Sequence, residues 1–408
     1  MTANVTAGTH VRLHQLTYVD DVDGVMVGRP DTGSYGVFPP EGADLLRSLA
    51  AGTTLEAGAR RWQDRTGQTL DVADFVDILA DLGFTMAENE VPAELAPVRW
   101  QRLSRMLFSL PAWLGYVAVM GGGLATMVLD PGLRPSYRNV FFTSHIALIP
   151  VVLALTQIPL LLLHEAFHAL AARRRGLPST LGVGRRFYYL VAETRMDSLY
   201  SVPRAQRYLP FLAGAMVDAV GVGAFTMLSA AGHHWGAPPW VSGLALTLAF
   251  SGVLRILWEF LFYLQTDFYF VVNTASRCTD LHGAAKHLLR TQFRAALRRP
   301  PGQAGQAASQ WSDRDLAAAR WYAPMMIAGY GVSLCTLVLV GIPTAVRFWT
   351  IVVRRFDGSQ PQTIGGLVDT VFFVLFSLIE FGLLGYVTIR DLRRRRARRS
   401  LQTERNAS

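Results

Sequence analysis

Five consecutive residues, His164-Glu165-Ala166-Phe167-His168, have the types and spacing of a hydrolytic metal site. On a helix, residues four apart lie one turn above each other, so both imidazoles can turn a nitrogen to one Zn²⁺ while Glu165 stands beside an open coordination position. A carboxylate base beside water activated by Zn²⁺ suits peptide-bond hydrolysis. The run closes an apolar stretch that begins near Ile146 and is long enough to cross a bilayer. Ionisable groups in a membrane helix cost roughly 3 kcal/mol each, so three within one turn call for a compensating partner such as a metal.

Two histidines leave a catalytic zinc one protein ligand short. Arg173 follows His168 closely, which puts the pair within roughly 10 Å of the basic end of its span at 1.5 Å per residue. The third ligand must reach that depth from another span. Asp267 follows the apolar end of the fourth span in Leu264-Gln265-Thr266-Asp267-Phe268-Tyr269, and Asp218 lies a few turns inside the third in Ala213-Gly214-Ala215-Met216-Val217-Asp218. Position along the chain leaves both open. Asp197 reads as a solvated or Arg-paired charge. Glu259, four residues after Arg255, reads as its ion-pair partner. Asp369 and Glu380 on the last span would line a water path or pair with Arg from neighbouring helices, and Pro159 is expected to kink the His-bearing helix.

The elements that position these residues are membrane spans. A chain of 408 residues that is 51% hydrophobic and only 17% charged is too apolar for an ordinary soluble protein. Runs of about 20 apolar residues predict six spans: Leu107 to Leu129, Ile146 to Ala172, Leu209 to Ala230, Trp240 to Tyr263, Trp321 to Val346 and Ile364 to Ile389. Before them lies a soluble segment without a basic-then-apolar signal peptide, so the N-terminus is expected in the cytosol. Alternate loops agree. Arg173, Arg174, Arg175, Arg185, Arg186, Arg195, Arg204 and Arg207 fill the second-to-third connection, Arg290, Arg294, Arg298 and Arg299 the fourth-to-fifth, and Arg393 to Arg396 the tail, which places those segments and the C-terminus in the cytosol. The net charge of +9 therefore belongs to membrane loops that meet anionic lipid. Through Pro97 there are fifteen acidic residues against six Arg, which argues against nucleic acid as a partner. Cys278 and Cys335 form no metal-binding pattern.

The soluble segment orders short strands before helices. Val25 to Val27 and Tyr35 to Phe38 flank a Pro30-Asp31-Thr32-Gly33 turn, and helices are predicted over Glu41 to Ala50, Thr54 to Thr66 and Val72 to Leu82, the pattern of a small α+β winged helix. Pro92 and Pro97 mark a linker.

Taken together, the His motif, the Ala213 to Asp218 run and the Leu264 to Tyr269 run resemble the intramembrane zinc proteases of the site-2 protease class, in the bacterial branch of peptide zinc metalloproteases, over roughly residues 145 to 290. The resemblance implies that Asp267 completes the zinc site and that Asp218 helps to position substrate. Phe268 stands where that family has Gly, and Leu261 where this branch often has Asn. The N-terminal segment resembles the PqqD-type domains that bind leader peptides, through Gly42-Ala43-Asp44-Leu45-Leu46 and Leu79-Ala80-Asp81-Leu82-Gly83-Phe84; in these a leader adds as a strand beside the hairpin.

The expectation is a polytopic α-helical membrane protein of about six spans with a soluble winged-helix domain: residues 1–95 recognise peptide, 96–390 form the metalloprotease, and 391–408 a basic cytosolic tail. Its implied activity is a zinc endopeptidase that removes the leader of a ribosomally made precursor, as in daptide-type biosynthesis. Release of a membrane-tethered regulator, or peptide binding without cleavage in transport or immunity, are the alternatives.

Overall fold

The computed structural model describes residues 10–21, 24–87, 90, 98–143, 148–186, 189–278, 280–297 and 311–343, with scattered positions between 346 and 393. Near the N-terminus, β1 (Thr17–Asp21), β2 (Gly24–Arg29) and β3 (Ser34–Phe38) form an antiparallel meander in the order β1-β2-β3, with Tyr18 opposite Val27 and Val27 opposite Gly36. Three helices follow: α1 (Pro40–Ala50), α2 (Leu55–Thr66) and α3 (Val72–Asp81).

Local chemistry sets these helix starts. Thr54 accepts a hydrogen bond from the Ala57 amide, and Asp71 accepts from those of Ala73 and Asp74, caps that contribute about 1 kcal/mol each. Val25, Val27 and Phe38 from the sheet close on Leu45, Leu46, Leu49, Leu79 and Phe84 in one core. The sequence pattern does not mark β1 as a strand. Its end, Asp20-Asp21, is polar enough to read as a turn, yet it pairs along its whole length with β2.

After a short helix α4 (Gln101–Leu107), the chain builds a bundle from α5 (Leu110–Leu129), α6 (Leu148–Arg173), α7 (Tyr208–His234), α8 (Pro239–Glu259) and, further on, a helix beginning at Asp313. These five helices are long and apolar enough to cross a membrane. They overlap the first five predicted spans, the fifth beginning at Asp313, ahead of the predicted Trp321. Leu114, Leu124, Leu155, Ile158 and Leu254 are exposed along them, as a lipid-facing surface requires. α5 and α7 touch at Gly123 and Gly223, where a Cβ on either would overlap the other helix's backbone. Pro159 lies inside α6, which remains one helix across it. The sixth predicted span and the tail fall mostly outside the described residues; the described positions within 364–389 are helical. Asp369 and Glu380 lie outside the described residues, as do Pro92 and Pro97.

Two connections carry structure that apolar-run counting does not detect. Between α6 and α7, β4 (Thr180–Arg186) and β5 (Tyr189–Arg195) pair as an antiparallel hairpin. Between α8 and the last long helix lie α9 (Asp267–Ala275) and α10 (Leu281–Ala296), the latter packed on that helix, α11 (Asp313–Thr336), around Tyr322 and Met326.

Candidate metal centre

Three helices and the start of a fourth converge on the His motif. His164, Glu165 and His168 are buried on α6. Nε2 of His164 and Nε2 of His168 lie 3.1 Å apart, and Oδ2 of Asp267, the first residue of α9, lies 3.3 Å from the former and 2.7 Å from the latter. These separations approach the about 3.3 Å edge of a tetrahedron with metal–ligand bonds of 2.0–2.1 Å.

The other nitrogen of each ring is fixed from behind. Nδ1 of His168 lies 2.7 Å from the Pro210 carbonyl, which only accepts, so that nitrogen donates and Nε2 is the one that faces the cluster. Nδ1 of His164 lies 2.8 Å from Oδ2 of Asp218 on α7, with the same consequence. Asp218 is thus a partner of His164, on the ring edge away from the donor cluster. Its other oxygen accepts from Nε and Nη2 of Arg255 on α8, at 2.9 and 2.8 Å, and Arg255 also donates to Oε1 of Gln157 at 2.6 Å.

That arrangement corrects the expected Arg255–Glu259 ion pair. Arg255 turns to Asp218, while Oε2 of Glu259 accepts from the Asp267 backbone N–H at 2.8 Å. Glu259 therefore ties the end of α8 to the start of α9. The Thr266 hydroxyl reinforces the junction by donating to the Glu259 carbonyl at 2.6 Å.

His164, His168 and Asp267 form a group able to hold a metal ion. Zinc fits it for two reasons besides spacing: two neutral imidazoles and a carboxylate are ordinary zinc donors, and Gly214 on α7 keeps the space clear. A Cβ there would overlap Nε2 of both histidines.

Beside the cluster, a cleft of about 460 Å³ is lined by Glu165, His168, Asp267, residues 192–195 of β5, and Phe211 stacked on Phe270 at 5.4 Å. A second cleft, about 340 Å³, reaches His164, Glu165 and Asp267 past Val191 and Glu259. The Thr194 hydroxyl lies 2.7 Å from Oε2 of Glu165 and 2.9 Å from its carbonyl, so β5 holds the carboxylate in place. Asp197, read from sequence as a solvated or Arg-paired charge, lines the first cleft as well. Of the supporting groups, Pro210 and Thr194 leave no sequence signal and Gly214 enters only as a member of the Ala213 to Asp218 run, because each acts through a contact between distant elements.

The chain matches no protein-family model, no curated protein and no solved structure in the comparisons made. The geometry of the centre therefore carries the functional reading.

Proposed function

We propose that this chain is an intramembrane zinc endopeptidase in which His164, His168 and Asp267 hold the metal and Glu165 is the general base. The observation that carries this reading is the convergence of three buried or half-buried donor groups beside a carboxylate and an open cleft, within helices apolar enough for a bilayer. When bound there, zinc would make water nucleophilic near neutral pH and polarise the scissile carbonyl.

The side chains supply the rest. Glu165, held by Thr194, takes a proton from the attacking water and returns it to the leaving nitrogen. Asp218 and the Pro210 carbonyl keep both imidazoles in the tautomer that offers Nε2. A helical peptide bond is shielded by its own hydrogen bonds, so substrate enters extended, and the backbone edge of β5 beside Glu165 suits such a strand. We assign Asp218 to orienting His164 in preference to contacting substrate.

The substrate class we favour is a ribosomally made precursor whose leader binds the N-terminal α+β region, with the Arg-rich end of the bundle in the cytosol. In lipid, Glu165→Gln is expected to keep zinc and lose cleavage of such precursors by about 10²–10⁴-fold, the contribution of a general base. Cleavage at the wild-type rate would remove the protease reading. Leader recognition is checked by deleting the leader from the precursor, which should raise KM with kcat nearly unchanged.

A further inference from the structure

The N-terminal region is fastened to the wall of the catalytic cleft. Between β5 and α7 the chain passes through two 3₁₀ turns, Asp197–Ser201 and Arg204–Gln206. Asp197 and Tyr200 in the first turn line the cleft that holds Glu165, His168 and Asp267.

The same segment meets the N-terminal sheet at three places. Tyr35 of β3 packs on Tyr200 with ring centroids 5.8 Å apart. Gly33, in the β2–β3 turn at φ +70°, lies so close to Asp197 that an added Cβ would come within 2.8 Å of the Asp197 Cβ. Asp21, at the end of β1, takes two hydrogen bonds from Arg204, at 2.7 Å from Nε and 2.8 Å from Nη2, and its side chain is only 4% exposed. Burial pushes the Tyr35 phenol up to about 12, so the ring contact stays uncharged.

Two features turn this contact into a brace. Asp21 pairs with Gly24 at one end of β2 and Tyr35 with Gly28 near the other, so the anchors are separated by most of a hydrogen-bonded strand, which resists rocking. Arg204 also reaches the Thr274 carbonyl at 3.4 Å, near the end of α9, the helix that begins with Asp267. From the other side, Arg207 donates to the Val202 carbonyl at 2.9 Å and stacks over Tyr200 at 5.4 Å.

We propose that the N-terminal region braces the active site: Asp21, Gly33 and Tyr35 are positioning residues that set the cleft wall at 197–204 and, through Arg204, the seating of α9. The region thereby governs turnover, in addition to any leader it captures. The turnover part rests on the protease reading above; the structural part does not.

The test uses the full chain in lipid nanodiscs with Asp21→Arg, Arg204→Asp and the double exchange, which restores the pair with its charges swapped. Amide hydrogen exchange over residues 189–204 is expected to speed up about tenfold in each single variant and to slow again in the double. Zinc loss to a chelator should follow the same order. With unfolded β-casein, which carries no leader, kcat is expected to fall about tenfold in the singles with KM within about twofold, and to recover in the double. Unchanged exchange in both singles overturns the brace. Faster exchange with unchanged kcat in an active enzyme overturns its control of turnover. If wild type cleaves neither casein nor precursor, the protease reading fails, while exchange and zinc loss still decide whether the brace exists. Milder Tyr35→Ala, expected to shift exchange in the same direction, guards against a single variant that does not fold.

Discussion

Nδ1 of His164 stands 2.8 Å from Oδ2 of Asp218, on the opposite side of the ring from the Nε2 that faces His168 and Asp267. The contact fixes the ring of one histidine of the candidate metal cluster, and the Arg255 guanidinium on the other Asp218 oxygen offsets a carboxylate that would otherwise sit uncompensated inside the bundle.

Asp218→Asn keeps an acceptor for the imidazole N–H but loses the charge that matches Arg255. Zinc affinity, measured by competition with a chelator, is expected to fall about 10–100-fold, as for other partners of metal-bound histidine. Asp218→Ala should fall further, because the His164 Nδ1–H then loses its acceptor as well. Unchanged zinc affinity in both, with a raised peptide KM, would restore the substrate-positioning role that resemblance implied.

How much of this is legible in the sequence follows from the range of each interaction. The His pair and Glu165 lie within one turn of α6, and the apolar run around them is continuous, so sequence alone locates them. Helices α2 and α3 begin within a residue of expectation because Thr54 and Asp71 cap them locally. Asp267 is 103 residues from His164 and was nameable as a ligand only beside its rival Asp218. Nothing in the spacing says that one would face the metal cluster and the other the back of a ring. The β4–β5 hairpin was hidden because its Arg and Gly content reads as a juxtamembrane loop, although Thr194 on it touches Glu165.

Gly214→Ala asks whether the space between the histidines is needed for the ion. In a helix interior, Ala is favoured over Gly by about 1 kcal/mol, which offsets part of the cost of moving the two rings aside, so the zinc-free protein should stay folded. The added Cβ would overlap Nε2 of both histidines, and zinc content should drop sharply. The control is Gly221→Ala on the same helix, whose Cβ would meet only Phe225 at an ordinary 3.8 Å. Full zinc occupancy in Gly214→Ala would show that the ion sits elsewhere.

Thr194→Val removes the hydroxyl beside Glu165 while keeping a β-branched side chain suited to the strand. His164, His168 and Asp267 are untouched, so zinc stoichiometry should stay at the wild-type value. Turnover should fall about tenfold, corresponding to roughly 1.4 kcal/mol of lost positioning at the base, and Thr194→Ser should recover most of it. Equal kcat in the Val and Ser variants would mean that β5 does not position the base.

Glu259 separates two ways in which a carboxylate near a metal can act. Its Oε2 accepts from the backbone N–H of Asp267, a role that an amide oxygen can fill as well as a carboxylate can. Glu259→Gln is therefore expected to bind zinc within about threefold of wild type, since a neutral acceptor gives up only part of a hydrogen bond to a charged group. Glu259→Ala leaves that amide without its partner at the α8–α9 junction and lets the Asp267 carboxylate drift from the histidines. Zinc affinity should then fall by about tenfold or more, in line with the loss of a group that orients a ligand. If Gln weakens zinc as much as Ala does, the charge of Glu259 acts on the metal directly and the capping role is wrong.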